Sequence, residues 1–348
     1  MKIISLFTGA GGLDLGFEQA GFNVIWANEY DRQIVPTYIA NRTEPTISCR
    51  DLLKVSSQDL PRVCRGIIGG PPCQSWSVAG AGRGLDDSRG QLMLEYQRIL
   101  GDLAPDFFVA ENVKGMTSPR HAAAFDQFVN GFHNLGYNVV CTTVDAADYG
   151  VAQNRERVIF VGYHFRTNQS FKMPPPNGNR ATLRDVIGDL SAATPALPGN
   201  EANPNLAIVN HEYFFGDYSS HYMSRNRRRG WDEPSFTIQA SGRHAPQHPD
   251  AAPMEDTGEK DKFRFTGKDR RLSVHECALI QGFPKNYRFQ YRDVNDGYKM
   301  VGNAVPPPLA KVIAETIKKD LFSCSAPSLD TAADSGSTPR ASNSTASC

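Results

Sequence analysis

A cysteine, a carboxylate and two arginines stand where this sequence could do chemistry. Cys73 ends the run Gly69-Gly70-Pro71-Pro72-Cys73. A thiol has a pKa of about 8.5, so only a few per cent is thiolate at neutral pH. The thiolate is nonetheless strongly nucleophilic, and nearby positive charge raises its fraction. The two prolines each hold φ near about −65°, which gives the side chain a rigid approach. Glu111 follows the apolar run Asp106–Ala110 and supplies a carboxylate suited to general acid–base work. Gln153-Asn154-Arg155-Glu156-Arg157 places two arginines at alternate positions. Their planar forks suit carbonyl or phosphate oxygens.

A second set of residues is suited to holding a ligand. Gly9-Ala10-Gly11-Gly12 follows the apolar Ile3–Phe7 run and precedes the helical spacing of Leu13–Ala20. Gly9 and Gly11 there permit a tight turn and a close ligand approach. Glu29 comes 20 residues after Gly9, at the end of the next apolar run, where a carboxylate can accept from ribose hydroxyls. Asp51, after a third run, could accept from an adenine amino group. The loop has neither the G-x-G-x-x-G spacing nor a P-loop Lys-Ser/Thr, which disfavours a nucleoside triphosphate. A nucleoside cofactor without a phosphate to cradle fits better, and S-adenosylmethionine is one.

Most of these residues fall at the ends of short apolar runs. Ile3–Phe7, Val24–Ala27, Thr46–Ser48, Gly66–Ile68, Asp106–Ala110, Val139–Val144 and Val158–Val161 read as strands. Leu13–Ala20 and Leu92–Leu103 read as helices between them. The alternation predicts an α/β protein with a doubly wound, mostly parallel sheet, in which ligands sit at the carboxyl ends of strands. The pattern changes near Met173-Pro174-Pro175-Pro176-Asn177-Gly178-Asn179. Residues 173–295 read as a smaller, loop-rich domain. Residues 1–172 read as the catalytic and cofactor-binding domain, completed by 296–322, where Leu309–Leu321 has helical spacing. Residues 323–348 are rich in Ser, Ala and Thr, lack aromatics and are expected to be disordered.

Composition narrows the function classes. Of 348 residues, 40% are hydrophobic and 21% charged, enough apolar content for a core. Lys and Arg total 37 and so do Asp and Glu, so the formal net charge is zero. That excludes a protein that coats nucleic acid by bulk charge, but not one with a local basic patch. Arg225, Arg227, Arg228 and Arg229 fall within five residues, and Arg243 follows. The seven cysteines are widely spaced without a C-x-x-C pair, so neither a disulfide framework nor a zinc cluster is expected, and no metal is assigned. The opening Met1–Phe7 segment breaks into glycines too early for a signal peptide or membrane helix. No other run approaches the ~18 apolar residues of a membrane span. A soluble, intracellular protein without a membrane partner is expected.

Taken in order, these motifs resemble the DNA cytosine-5 methyltransferases. The matching segments are Phe7-Thr8-Gly9-Ala10-Gly11-Gly12, Asn28-Glu29-Tyr30-Asp31, Gly70-Pro71-Pro72-Cys73-Gln74, Glu111-Asn112-Val113, Gln153-x-Arg155-x-Arg157 and Gly302-Asn303-Ala304-Val305-Pro306. Arg271-Leu272-Ser273, with Glu276-Cys277-Ala278 and Gln281-Gly282-Phe283-Pro284, matches a further segment. The resemblance spans roughly residues 3–322. His211–Phe214, Met223–Arg227 and Gln239–Arg243 are similar to bacterial restriction–modification enzymes that methylate GGCC.

The resemblance implies the S-adenosylmethionine-dependent methyltransferase fold, a target-recognition domain and double-stranded DNA as partner. It implies that Phe7 stacks on the adenine, Glu29 binds the ribose and Asp51 binds the adenine amino group, with Pro72, Leu92 and Asn303 lining the pocket. Cys73 would attack C6 of a flipped-out cytosine, Glu111 would hold or protonate N3, and Arg157 would contact O2. Arg155 would support phosphate and loop contacts. Gly80 to Gly90 would be a loop that closes over the DNA. Arg225, Arg227 and Arg243 would read guanines, while Arg228 and Arg229 would contact phosphates. A cytoplasmic monomer is implied. Two alternatives are a tRNA cytosine-5 methyltransferase of the same fold and a catalytically silent DNA-binding accessory protein. The long basic loop region opposes the first. The presence of Cys73, Glu111 and Arg157 opposes the second.

Overall fold

The chain alternates strand and helix through its first half. The computed structural model describes residues 1–72, 88–178 and 180–322. Cys73, the expected closing loop up to residue 87 and the 323–348 tail lie outside the described residues. In chain order the elements are β1 (Lys2–Leu6), α1 (Gly12–Gln19), β2 (Asn23–Asn28), α2 (Val35–Ala40), β3 (Ile47–Ser48) and β4 (Gly66–Gly69). They continue with α3 (Ser88–Leu103), β5 (Phe107–Val113), α4 (Ala122–Asn134), β6 (Tyr137–Asp145) and β7 (Glu156–His164). The last three residues assigned to the closing loop, Ser88-Arg89-Gly90, therefore open α3 instead.

Seven strands form one sheet in the order β3-β2-β1-β4-β5-β7-β6. β1 to β5 pair in parallel. β7 inserts antiparallel between β5 and β6. Only residues 146–155 join β6 to β7, too few for the helical crossover that parallel neighbours need.

Side-chain alternation along the strands builds two layers. Phe107 and Val109 of β5 face the core formed with Leu13 and Phe17 of α1. Phe108 and Ala110 face the opposite core, formed with Met93, Tyr96 and Leu100 of α3 and Phe128 and Phe132 of α4.

The second half supplies α5 (Leu183–Ile187), the short pairs β8 (Thr194–Pro195) with β9 (Glu212–Tyr213) and β10 (Met254–Asp256) with β11 (Phe263–Phe265), then α6 (Val274–Gln281), α7 (Val294–Asn303) and α8 (Pro307–Phe322). α5 and α6 each begin with a capping box, Thr182 with Asp185 and Ser273 with Glu276. Both satisfy amide donors that a helix start leaves open. Leu183, Ile238, Leu272, Ile280, Tyr298 and Val301 lie in a third core, which also takes in Ala10 and Ile34 from the first half. The chain then crosses back: Ala304 lies in the third core and Val305 in the first, where α8 packs through Leu309, Ile313 and Ile317. No helix among the described residues is long and apolar enough to cross a membrane.

Candidate active site

The carboxyl ends of β1, β2, β4 and β5 open into a cavity of about 620 Å³. Phe7, Gly9, Glu29, Asp51, Pro72, Leu92 and Asn303 all line it. Glu29 ties the glycine turn to the end of β2: its Oε2 accepts from the Gly9 amide at 2.9 Å and its Oε1 from the Asp31 amide at 2.8 Å. Burial pushes the Glu29 carboxyl above the usual carboxylate range and outweighs those two donors. Asp51 caps the short turn Leu52–Lys54 by accepting from the Leu53 amide at 3.2 Å. Phe7 has φ 55°, a left-handed conformation that costs a bulky residue strain and is found mainly at functional sites.

Gly11 does not line the cavity. It precedes α1 at φ 82°, and a Cβ there would lie 2.6 Å from the Arg42 guanidinium. Arg42 donates to the Gly11 carbonyl at 3.1 Å and packs over the Tyr38 ring. Beneath the turn is a residue that the sequence reasoning missed. Asp14, 0% exposed, accepts hydroxyl bonds from Ser5 at 2.6 Å, Thr8 at 2.6 Å and Tyr38 at 2.8 Å. Its signal was an acidic residue between Leu13 and Leu15 in an apolar helix. Lys299 was missed as well; it pairs with Asp31 at 2.7 Å at the cavity wall.

Glu111 and Arg157 meet because β5 and β7 are neighbours. Val113 is opposite Arg157 and Glu111 is opposite Ile159, so the two side chains are diagonal neighbours on one face. Glu111 Oε1 lies 2.9 Å from Arg157 Nε, with both side chains mostly buried. Arg157 also donates to the Glu156 carbonyl at 2.7 Å. Asn112, beside Glu111, donates its side-chain amide to the Pro71 carbonyl at 3.2 Å. This holds the Pro-Pro approach to residue 73 against β5.

Arg155 and Arg227 are both buried against backbone carbonyls. Arg155 is 1% exposed and its fork donates to the carbonyls of Ile238, Gly302 and Ala304. Ile238 and Ala304 lie in loop segments, so the fork makes loop contacts, as expected, and makes them to backbone carbonyls. Arg227 is 5% exposed, and its guanidinium donates to the carbonyls of Tyr222 and His221, both at 2.9 Å. Burial pulls its pKa below the usual arginine value. Arg225 and Arg243 are exposed. Arg228 donates to the Pro249 carbonyl and Arg229 pairs with Glu233 at 2.9 Å.

The family model for C-5 cytosine-specific DNA methylases matches residues 1–319. This chain belongs to the C-5 cytosine-specific DNA methylase family. The methylase is 51% identical over 332 residues to the type II methyltransferase M.NgoPII of Neisseria gonorrhoeae, covering 92% of this chain and 96% of that protein. It is also 51% identical to the type II methyltransferase M.FnuDI of Fusobacterium nucleatum, covering 92% of this chain and 95% of that protein. Among solved structures it shares the fold of DNMT2 from Spodoptera frugiperda, with a TM-score of 0.63 at 18% identity, over 92% of this chain and 99% of that one. The methylase is a DNA cytosine-5 methyltransferase, and the strand-end cavity beside the Glu111–Arg157 pair is its candidate active site.

Proposed function

We propose that the methylase transfers a methyl group from S-adenosylmethionine to C5 of a cytosine in double-stranded GGCC, as part of a type II restriction–modification system, through a covalent Cys73 adduct. The observation that carries this reading is the Glu111–Arg157 pair at the wall of a cavity lined by Pro72.

The cavity lining fits a nucleoside cofactor. Glu29 and Asp51 offer acceptors for hydroxyl and amino donors, and Phe7, Pro72 and Leu92 offer apolar surface. Asn303 and the Gly9 turn complete the wall. When bound, S-adenosylmethionine supplies an electrophilic methyl group.

The chain's own groups do the rest. The target cytosine must leave the stack, because its C5 and C6 cannot be reached inside a duplex. The Cys73 thiolate adds to C6, forming the S–C6 bond and pushing an electron pair into the ring. Glu111 holds or protonates N3, which neutralises that charge. Arg157 fixes Glu111 through Nε and contacts the cytosine O2. C5 then takes the methyl group as its bond to the sulfonium sulfur breaks, which would leave a neutral thioether. A base removes the C5 proton, N3 returns any proton to Glu111, and the S–C6 bond breaks to return the thiolate. The exposed Arg225 and Arg243, together with the segments similar to GGCC enzymes, support guanine reading at ~1–3 kcal/mol for each good arginine–guanine pair.

The test is a plasmid methylated by the protein in cells and mapped for 5-methylcytosine. Methylation confined to GGCC is expected; methylation at another site, or of RNA alone, would overturn the assignment. A duplex with 5-fluorocytosine in GGCC has no C5 proton to lose, so it should trap the protein covalently. The Cys73→Ser variant should bind DNA without forming that adduct. An adduct formed equally by this variant would refute the thiol mechanism.

A further inference from the structure

We infer that Arg155 is a positioning residue that couples target recognition to cofactor binding and makes no contact with DNA. This inference rests on the proposed reading of the cavity and of the loop-rich region. One rigid, planar guanidinium bridges two distant segments. Nη1 donates to the Ile238 carbonyl at 3.1 Å, and Nη2 donates to the carbonyls of Gly302 at 2.6 Å and Ala304 at 3.1 Å. Ile238 leads directly into Gln239–Arg243, which ends at the exposed Arg243. Gly302, Asn303, Ala304 and Val305 form one wall of the cofactor cavity.

Two glutamines, each 0% exposed, double the grip. Gln153 accepts from the Ile238 amide at 3.1 Å, so that residue is held through both its N–H and its C=O. Gln281 donates to the Ala304 carbonyl at 2.6 Å, the same oxygen that Arg155 holds. Gln153 donates to Gln281 and closes the ring. The two segments also touch directly: a Cβ on Gly302 would lie 2.4 Å from the Gln239 carbonyl carbon, so only glycine permits this approach.

The third connection runs to the catalytic pair. The Arg155 amide donates to Asp145 at 2.7 Å and its carbonyl accepts from Ala146 at 2.9 Å. These bonds set the start of β7, which carries Arg157 two residues on. A displacement of 238–243 by DNA must therefore move the cavity wall, the start of β7, or both. A buried polar network that holds both segments shifts between discrete arrangements, which is what coupling between two sites requires. The coupling must be reciprocal: if DNA tightens the cofactor, the cofactor tightens DNA by the same factor.

The experiment measures by calorimetry the affinity for S-adenosylhomocysteine, the demethylated cofactor that cannot turn over, with and without a GGCC duplex, for the native protein, Arg155→Lys and Gln281→Met. Lysine keeps the charge but cannot span three carbonyls as a planar fork. The native protein is expected to show a coupling factor in the usual range of about 5–150. Arg155→Lys should bring it close to one and raise the cofactor KM about tenfold or more, with DNA affinity in the absence of cofactor little changed. Gln281→Met, which removes only the second grip on Ala304, should lower the factor partway and carries the test if Arg155→Lys does not fold. Variants that melt earlier but keep the native coupling factor would show a merely structural role and overturn the inference. So would a native coupling factor of one in a protein that methylates GGCC. A native protein that binds no S-adenosylhomocysteine would instead overturn the underlying reading, and the inference with it.

Discussion

Asp14 lies under the Gly9 turn, and its removal should be felt in both folding and binding. Asp14→Ala leaves the hydroxyls of Ser5, Thr8 and Tyr38 without their acceptor. All three residues are buried, at 0%, 7% and 1% exposure, so water does not readily replace the carboxylate. A buried donor left unsatisfied costs about 1–3 kcal/mol. Three of them set a floor of about 3 kcal/mol, against a total stability of about 5–15 kcal/mol for an ordinary domain. The binding effect follows from the Thr8 anchor. The Thr8 carbonyl accepts from the Gly11 amide at 2.9 Å, so loosening Thr8 loosens the turn that Glu29 holds at Gly9. A loss of about tenfold in cofactor affinity, near 1.4 kcal/mol, is expected. Asp14→Asn should fall between, because the amide keeps one acceptor and hydroxyls can turn to accept from its NH₂. Urea unfolding and calorimetric titration with S-adenosylmethionine measure the two effects. An alanine variant within about 0.5 kcal/mol of the native protein, the margin of an ordinary surface change, would refute the reasoning.

Three further outcomes are expected. The Glu29 carboxyl is held above its ordinary value of 4.5, chiefly by burial, so its contribution to stability is present below 4.5 and lost as pH rises through the folded value. Cofactor hydroxyls need the ionised form, so S-adenosylmethionine affinity should climb over that same interval, and Glu29→Gln should flatten the profile. His248 and His275 are both pushed down to about 4, first by burial, so the stability they give is present above 6.5 and lost as pH falls towards 4. Urea midpoints between pH 7 and 4 should fall accordingly, and less steeply in His248→Gln. Arg225→Ala should reduce discrimination among DNA sites without moving the melting temperature, whereas Arg227→Ala should lower the melting temperature too. A melting curve for Arg227→Ala that matches the native one would contradict the contacts of that side chain with Tyr222 and His221.

The strands and the cavity lining were legible because both are local. The apolar run Ile3–Phe7 and the turn after it are contiguous, so the strand aims the turn at the sheet edge whatever else the chain does. The same holds for Glu29 after β2 and Glu111 within β5. The antiparallel insertion of β7 was less visible, since a continuous apolar run does not reveal strand direction. Arg227 shows the opposite limit. The resemblance implied a guanine reader, but the adjoining turn offers its side chain two backbone carbonyls and Tyr222 a ring face.

By itself, the sequence determined which groups stand at the strand ends, and hence the chemistry available: a thiol, a carboxylate, two arginines and an acidic pair beside a glycine turn. Only the tertiary structure decided what each group is spent on. Arg155 and Arg157 are two residues apart and alike in type. One is used to hold carbonyls 83 and 147 residues away, and the other pairs with Glu111 across a strand boundary. Local spacing cannot separate them, because a guanidinium serves a carbonyl or a carboxylate equally well. What separates them is which segments the packed cores bring within hydrogen-bond reach.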